Sequence, residues 1–153
     1  MDAILWVFVA FGFLAAFNAG NMITLQIQHY GIYPSVGREH FVGYIRANNA
    51  AAVVPTIVPA LLLLVSSAIL VGHRPHFMSL WQALAALALN LAQLASTAIW
   101  QRRLQAEMAE TGYDDAKVRL LVSTNWIRSI AFLGQALLAT AIVARVLARV
   151  AAG

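Results

Sequence analysis

The stretch QIQHYGIYPSVGREH, residues 26–40, gathers two of the four histidines and two of the four tyrosines of this chain. Gln26, His29, Tyr30 and Tyr33 recur there at i, i+3, i+4 and i+7, one face of a helix that would persist to about residue 32. Pro34 then turns the residue before it out of the helical region. Polar residues repeat at helical spacing twice more, as Asn90, Gln93, Thr97 and Gln101, and as Asn125, Arg128, Phe132 and Gln135 with Trp126 and Ser129 beside them. Asn48 and Asn49 precede Thr56 by about two turns. The chemistry that fits is general acid–base. His29, with an ordinary pKa of ~6.5, suits a base at neutral pH, and Tyr30 or Tyr33 can donate to an oxygen. Arg128 with Asn125 would hold a developing oxyanion. Gln26, Tyr30, Tyr33, Asn49, Gln93, Thr97 and Trp126 would bind and orient a substrate.

Other chemistries fail on residue type. There is no cysteine, hence no disulfide, thiolate nucleophile or Cys-ligated metal. Di-iron bundles need carboxylates and Glu-x-x-His on inward faces, and neither is present. A bis-histidine haem needs two facing histidines, and only His29 lies near an apolar run; zinc or copper held by His29 and His40 would lack a third ligand. Cofactors are therefore expected to be none, haem and metal included. A Gly-rich phosphate loop, G-x-S-x-G and an acid pair are all missing. The net charge of +4 and pI near 10.1 do not indicate nucleic acid, because the basic residues form no aromatic-interleaved patch.

The elements that must position these groups are membrane helices. Of 153 residues, 61% are hydrophobic and only 10% charged, with mean hydropathy +0.75, whereas soluble domains carry about 25% charged residues. Four apolar runs, residues 3–28, 47–71, 77–100 and 120–147, each exceed the ~20 residues that cross a ~30 Å hydrocarbon core. Backbone groups in lipid must pair within their own segment, so the runs are read as helices. The expectation is a single all-α domain over 1–153, an integral membrane antiparallel four-helix bundle. The first run follows Asp2 with no Lys or Arg, unlike a secretory signal, and is expected to be retained. Residues 30–45 read as an interfacial loop and 72–76 as a tight turn. Residues 101–119 read as a helical extension, a turn at Gly112 and an N-cap at Asp114 or Asp115.

In an alternating bundle, the ends bearing Gln26, His29, Asn48, Asn49, Thr97, Gln101, Asn125 and Arg128 share one side. This predicts a polar cavity opening there, floored by Asn90 and Gln135, with Asn18 or Asn21 as a further floor. Pro55 and Pro59 should bend the second helix beside it. Every such residue also has a structural role open to it. Asn, Gln and Thr serve as interhelical glue at ~0.6 kcal/mol per bond, and Tyr30, Tyr33, Tyr44, Trp81, Trp100 and Trp126 suit an aromatic belt. Arg128 differs, since a guanidinium at mid-helix costs at least ~2.5 kcal/mol and the runs hold no Asp or Glu to pair with it. A substrate oxyanion, a carboxylate or phenolate, a lipid headgroup, or Glu39 folded back would satisfy it.

With LLVSTNWIRSIAFLGQALLA, residues 120–139, the chain resembles a group of small four-helix bacterial membrane proteins of unknown function; Tyr33-Pro34, the following Val36-Gly37 and the aromatic loop add to the likeness. That group is similar, more distantly, to the membrane family that includes fungal anthrone oxygenases, held to oxidise a polycyclic phenolic substrate with oxygen and no obvious cofactor. The likeness covers most of the chain as a hydropathy pattern and is sharp only at Asn125–Arg128 and Tyr33-Pro34.

Two functions stay open. One is a membrane-embedded oxygenase or oxidoreductase acting on an apolar or phenolic small molecule from the bilayer. The other is a non-catalytic accessory subunit, or a small-molecule or lipid-binding protein. The bilayer is the expected partner, with a hydrophobic small molecule and an oligomer or partner membrane subunit compatible. Arg38, Arg46, Arg102, Arg103, Lys117 and Arg119 at one set of ends outnumber Arg74, Arg145 and Arg149 at the other. The expected location is therefore the cell (inner) membrane, with both termini on the non-cytoplasmic side.

Overall fold

A computed structural model describes residues 2–153. Within them the chain is helical, in four long apolar segments that fit a polytopic membrane protein: Ala3–Ser35, Val53–Gly72, Leu80–Thr111 and Asp115–Ala152, here spans 1 to 4. Span 1 is α1 (Ala3–Thr24), a π-helical turn (Leu25–His29) and a 3-10 helix (Tyr30–Ser35); α2 (Phe41–Ala51) follows. Span 2 is a π-helical turn (Val53–Ile57) and α3 (Val58–Gly72). Span 3 joins α4 (Leu80–Ser96), a third π-helical turn (Thr97–Gln101) and α5 (Arg102–Thr111), and span 4 is α6 (Asp115–Ala152). Pairing of α1 with α3 and α6, and of α4 with the same two, closes the spans into an up-down-up-down ring.

Two apolar cores result. Along the bundle Phe8, Phe11, Ala15, Ala19 and Met22 line the inner stripe of α1 and meet Leu63, Leu70, Ala83, Ala86, Phe132 and Ile142. Phe13, Phe17, Trp81, Ile130 and Leu147 point outward and exposed, a surface that water would not tolerate and lipid does. At one end, α2 packs on α5 and forms a second core of Tyr30, Tyr33, Phe41, Ile45, Leu104, Met108, Val118 and Leu121. Arg46 Nε donates to the Ala109 carbonyl (3.0 Å) across this end cap.

The second core corrects the loop expected over 30–45. Burial of Tyr33 and Phe41 against Leu104 and Met108 pulls both flanks into helices, leaving only 36–40 as connection. Tyr30 and Tyr33 are thus core residues rather than part of a belt. Residues 47–51 likewise belong to α2, so the second span begins at Val53 instead of 47. Span 3 starts at Leu80, later than 77, because Ser79 caps it: Gln82 N donates to Ser79 Oγ (3.3 Å) and Ser79 N to Gln82 Oε1 (2.9 Å). Span 4 starts at Asp115, earlier than 120. Gly112 supplies the left-handed turn at φ +85°, and Asp114 Oδ1 accepts from Ala116 N (2.8 Å) and Lys117 N (3.0 Å).

The expected bend at Pro55 and Pro59 is a π-helical turn with a specific partner. Pro59 lacks the N–H that would reach the Pro55 carbonyl in a helix. Asn21 Nδ2 of span 1 donates to that carbonyl instead (3.0 Å) and sits 3.2 Å from Thr56 Oγ1. Deeper in the bundle, Asn90 Nδ2 donates to Ser67 Oγ (2.7 Å) and to Gln135 Oε1 (2.9 Å), tying spans 2, 3 and 4.

Replacing Asn90 by Ala strands the Gln135 and Ser67 oxygens in the core, and should lower stability by about 1–2 kcal/mol, read by denaturant titration in mixed micelles. Backbone donors at the helix start hold the Asp114 carboxyl below its usual range. Its stabilisation is therefore full above the ordinary carboxylate pKa of ~4 and lost as pH falls through the lower folded value. Acidification should unprotect the Ala116 and Lys117 amides to hydrogen exchange, and Asp114→Asn, which caps without titrating, should remove that acid dependence.

Candidate functional site

A cavity of about 490 Å³ opens between the end of α1 and its π turn, the α2–α3 junction, the α4–α5 junction and Arg128 of α6. Span 2 pairs with span 3 below it through α3 and α4, and above it α2, which leads into span 2, pairs with α5. The cavity fills the interval at the seam between the two cores. Every π turn of the chain lines it: Leu25 and His29 from the first, Thr56 and Ile57 from the second, Thr97 and Gln101 from the third. Such turns are rare and concentrate at functional sites, because the inserted residue displaces side chains from the regular helical face.

Arg128 is 8% exposed and is held by a one-way string of hydrogen bonds. Its Nη1 donates to Asn125 Oδ1 (3.1 Å), Asn125 Nδ2 to Gln26 Oε1 (2.8 Å), and Gln26 Nε2 to the Val122 carbonyl (3.1 Å). A guanidinium can only donate, so its presence sets the orientation of both amides. The string satisfies Nη1 and leaves Nε buried without an acceptor. Two cavity residues carry the complementary lack, since Asn49 Oδ1 and Gln101 Oε1 are buried without a donor. The Gln101 amide nitrogen is engaged, donating to Thr124 Oγ1 (3.0 Å).

His29, half-buried on the same wall, is held at both ring nitrogens. Tyr33 Oη lies 3.3 Å from Nε2 and Tyr44 Oη 3.4 Å from Nδ1. The Tyr33 ring stands edge-on to the imidazole at 5.2 Å and 79°. In a neutral imidazole one nitrogen donates and the other accepts, so one tyrosine gives a proton and the other takes one.

Of the residues marked by sequence, His29, Tyr30, Asn49, Thr97 and Arg128 line the cavity. Five lie elsewhere. Asn125 and Gln26 are buried behind Arg128 and orient it, and Tyr33 is fully buried behind His29. Gln93 is buried off the wall. Trp126 is 45% exposed, because one residue beyond Asn125 turns about 100° away from the inward face. Asn90 and Gln135 form no floor, since Asn90 donates to Gln135 and to Ser67 away from the cavity wall. Asn18 Nδ2 turns back to its own Leu14 carbonyl (2.8 Å), and Asn21 goes to span 2. Glu39 stays at the exposed connection beside His40. Asn48 and Gln101, expected at the cavity end, line the wall, and so do Thr56, Arg102 and Gln105. The four-residue spacing Thr97, Gln101, Gln105 was the signal for Gln105, masked by reading 101–119 as an extension beyond the membrane.

No protein family profile, no curated protein and no solved structure matches this chain.

Gln26→Leu should leave Asn125 Nδ2 buried and unpaired, costing about 1–3 kcal/mol of stability in micelles. Gln26→Glu, which keeps an acceptor for Asn125, should cost less.

Proposed function

We propose that the cavity binds an apolar phenolic or enolic small molecule and that the chain oxidises it as a membrane-embedded oxygenase. One observation carries this reading: the wall pairs a buried donor that lacks an acceptor, Arg128 Nε, with two buried oxygens that lack donors, on Asn49 and Gln101. A hydroxylated ligand with one negatively polarised oxygen supplies both. Arg128, braced by Asn125 and Gln26, holds that oxygen as charge develops. Tyr30, Asn49 and Thr97 orient the molecule. His29 takes its proton by releasing one tyrosine, and both contacts are long enough to make that exchange cheap.

The anthrone oxygenase resemblance supplies the rest. Dioxygen converts a ring methylene flanked by two aryl groups to a carbonyl, with water as the second product, so no further reductant is required. The positive-inside rule puts the cavity end on the cytoplasmic side of the cell membrane and both termini opposite. A second reading, binding without turnover as an accessory subunit or carrier, is favoured by the engagement of both His29 nitrogens.

Anthrone presented to the purified chain in nanodiscs tests both. Turnover predicts oxygen uptake above the protein-free rate and accumulation of the quinone. His29→Gln should keep binding and lose about a hundredfold in rate, and Arg128→Gln should lose binding. Binding with no added uptake leaves the carrier reading, and absence of binding removes both.

A further inference from the structure

Arg128 is not the only cation on the cavity wall. Arg102, the first residue of α5, lines it too, exposed and outside the ion pairs that engage its neighbours. Arg38 pairs with Asp115 (3.4 Å), and Glu107 takes both Arg103 (2.8 Å) and Lys117 (3.2 Å). No carboxylate lines the cavity. Two guanidiniums without an acid between them favour an anion, and their planar forks match carboxylate or phosphate oxygens two at a time.

The rest of the wall is mainly uncharged and polar, with a smaller apolar part. That apolar part is Leu25, Ala52, Ile57, Leu94 and Ala106, carried mostly by the segments around the second and third π turns. Ile57 is 48% and Leu94 39% exposed, so neighbouring helices do not seal this part of the wall. The cavity is thus apolar along Ile57 and Leu94 and cationic at Arg102 and Arg128.

We infer that the ligand is an amphiphile with an anionic carboxylate or phosphate head, which slides in from the bilayer between spans 2 and 3 and seats its head between Arg102 and Arg128. Its apolar body lies along Leu25, Ile57 and Leu94. The inference rests on the cavity being a ligand site, as in the proposed function, and adds the head charge and the route.

Three ligands with one tail and different heads test it in zwitterionic nanodiscs: radiolabelled oleate, oleyl phosphate and oleyl alcohol. Saturable binding is expected for oleate or oleyl phosphate, the tighter one naming the head, and none for the alcohol. Arg102→Gln should weaken binding at least tenfold, and Arg102→Lys should restore part of it. Leu94→Trp, placed at the slot, should block uptake with an unchanged thermal midpoint; if that midpoint falls, Ile57→Trp gives the same reading from the opposite lip. Binding lost in Arg128→Gln but unchanged in Arg102→Gln overturns the two-arginine head and leaves the proposed function standing. Equal binding of the alcohol overturns the anionic head and leaves the proposed function standing, whereas indifference to both arginines overturns both. Undiminished uptake with the slot filled overturns the lateral route.

Discussion

A guanidinium inside an apolar bundle is the constraint to which the cavity end of this protein answers. Moving an arginine into the middle of a membrane helix costs at least ~2.5 kcal/mol, and the apolar runs hold no Asp or Glu to offset it, Glu107 and Asp115 being engaged by other cations. Asn125 and Gln26 offset part of it by presenting oxygens in series. That series has only one workable direction, so a single charge determines how two amides on two helices point, and with them how span 1 registers against span 4. The string ends on a backbone carbonyl, which needs no further partner. What it leaves over, Nε, is on a residue of the cavity wall.

Backbone irregularity coincides with that cavity. Three spans change to π-helical hydrogen bonding at one level, and the fourth contributes Arg128. For span 2 the cause is visible in the covalent structure: Pro59 has no N–H for the Pro55 carbonyl, and Asn21 takes that role from outside the helix. A gap of this kind in lipid would be costly without such a donor. The polar residues of span 1 therefore act in two ways, Asn21 by stabilising the opening and Gln26 by bracing the charge that faces it.

Much of this was legible in the sequence and some was not, for physical reasons. Hydropathy located four helices because length and apolarity are what a bilayer demands. The inward stripes were readable because polar residues in lipid avoid the outer face, as Asn90, Gln93, Asn125, Arg128 and Gln135 all do. Periodicity could not distinguish residues that line a space from residues that hold those lining it. Gln26, Asn125 and Tyr33 share faces with Arg128 and His29 yet sit behind them. Trp126 was misplaced by adjacency to Asn125, since chain neighbours on a helix diverge by about 100°. The end cap escaped notice because Tyr33, Phe41 and Met108 come from segments too short or too polar to look like a core. They form one only when α2 and α5 meet.

That second core is what makes a site at this depth reasonable. A four-helix bundle packed throughout like the stripe from Phe8 to Met22 has no space for a ligand, and close packing resists opening one. Here α2 packs on α5 beyond the level where α3 meets α4, so the bundle is held on both sides of the cavity by separate cores. Unpaired buried groups collect at the cavity, on Arg128, Asn49 and Gln101. Other unpaired groups, such as Asn90 Oδ1 and Gln135 Nε2, belong to residues that do not line this cavity. The same local deficit is a fixed cost in the bundle and an offer of binding energy at the seam, and only the cavity separates the two cases.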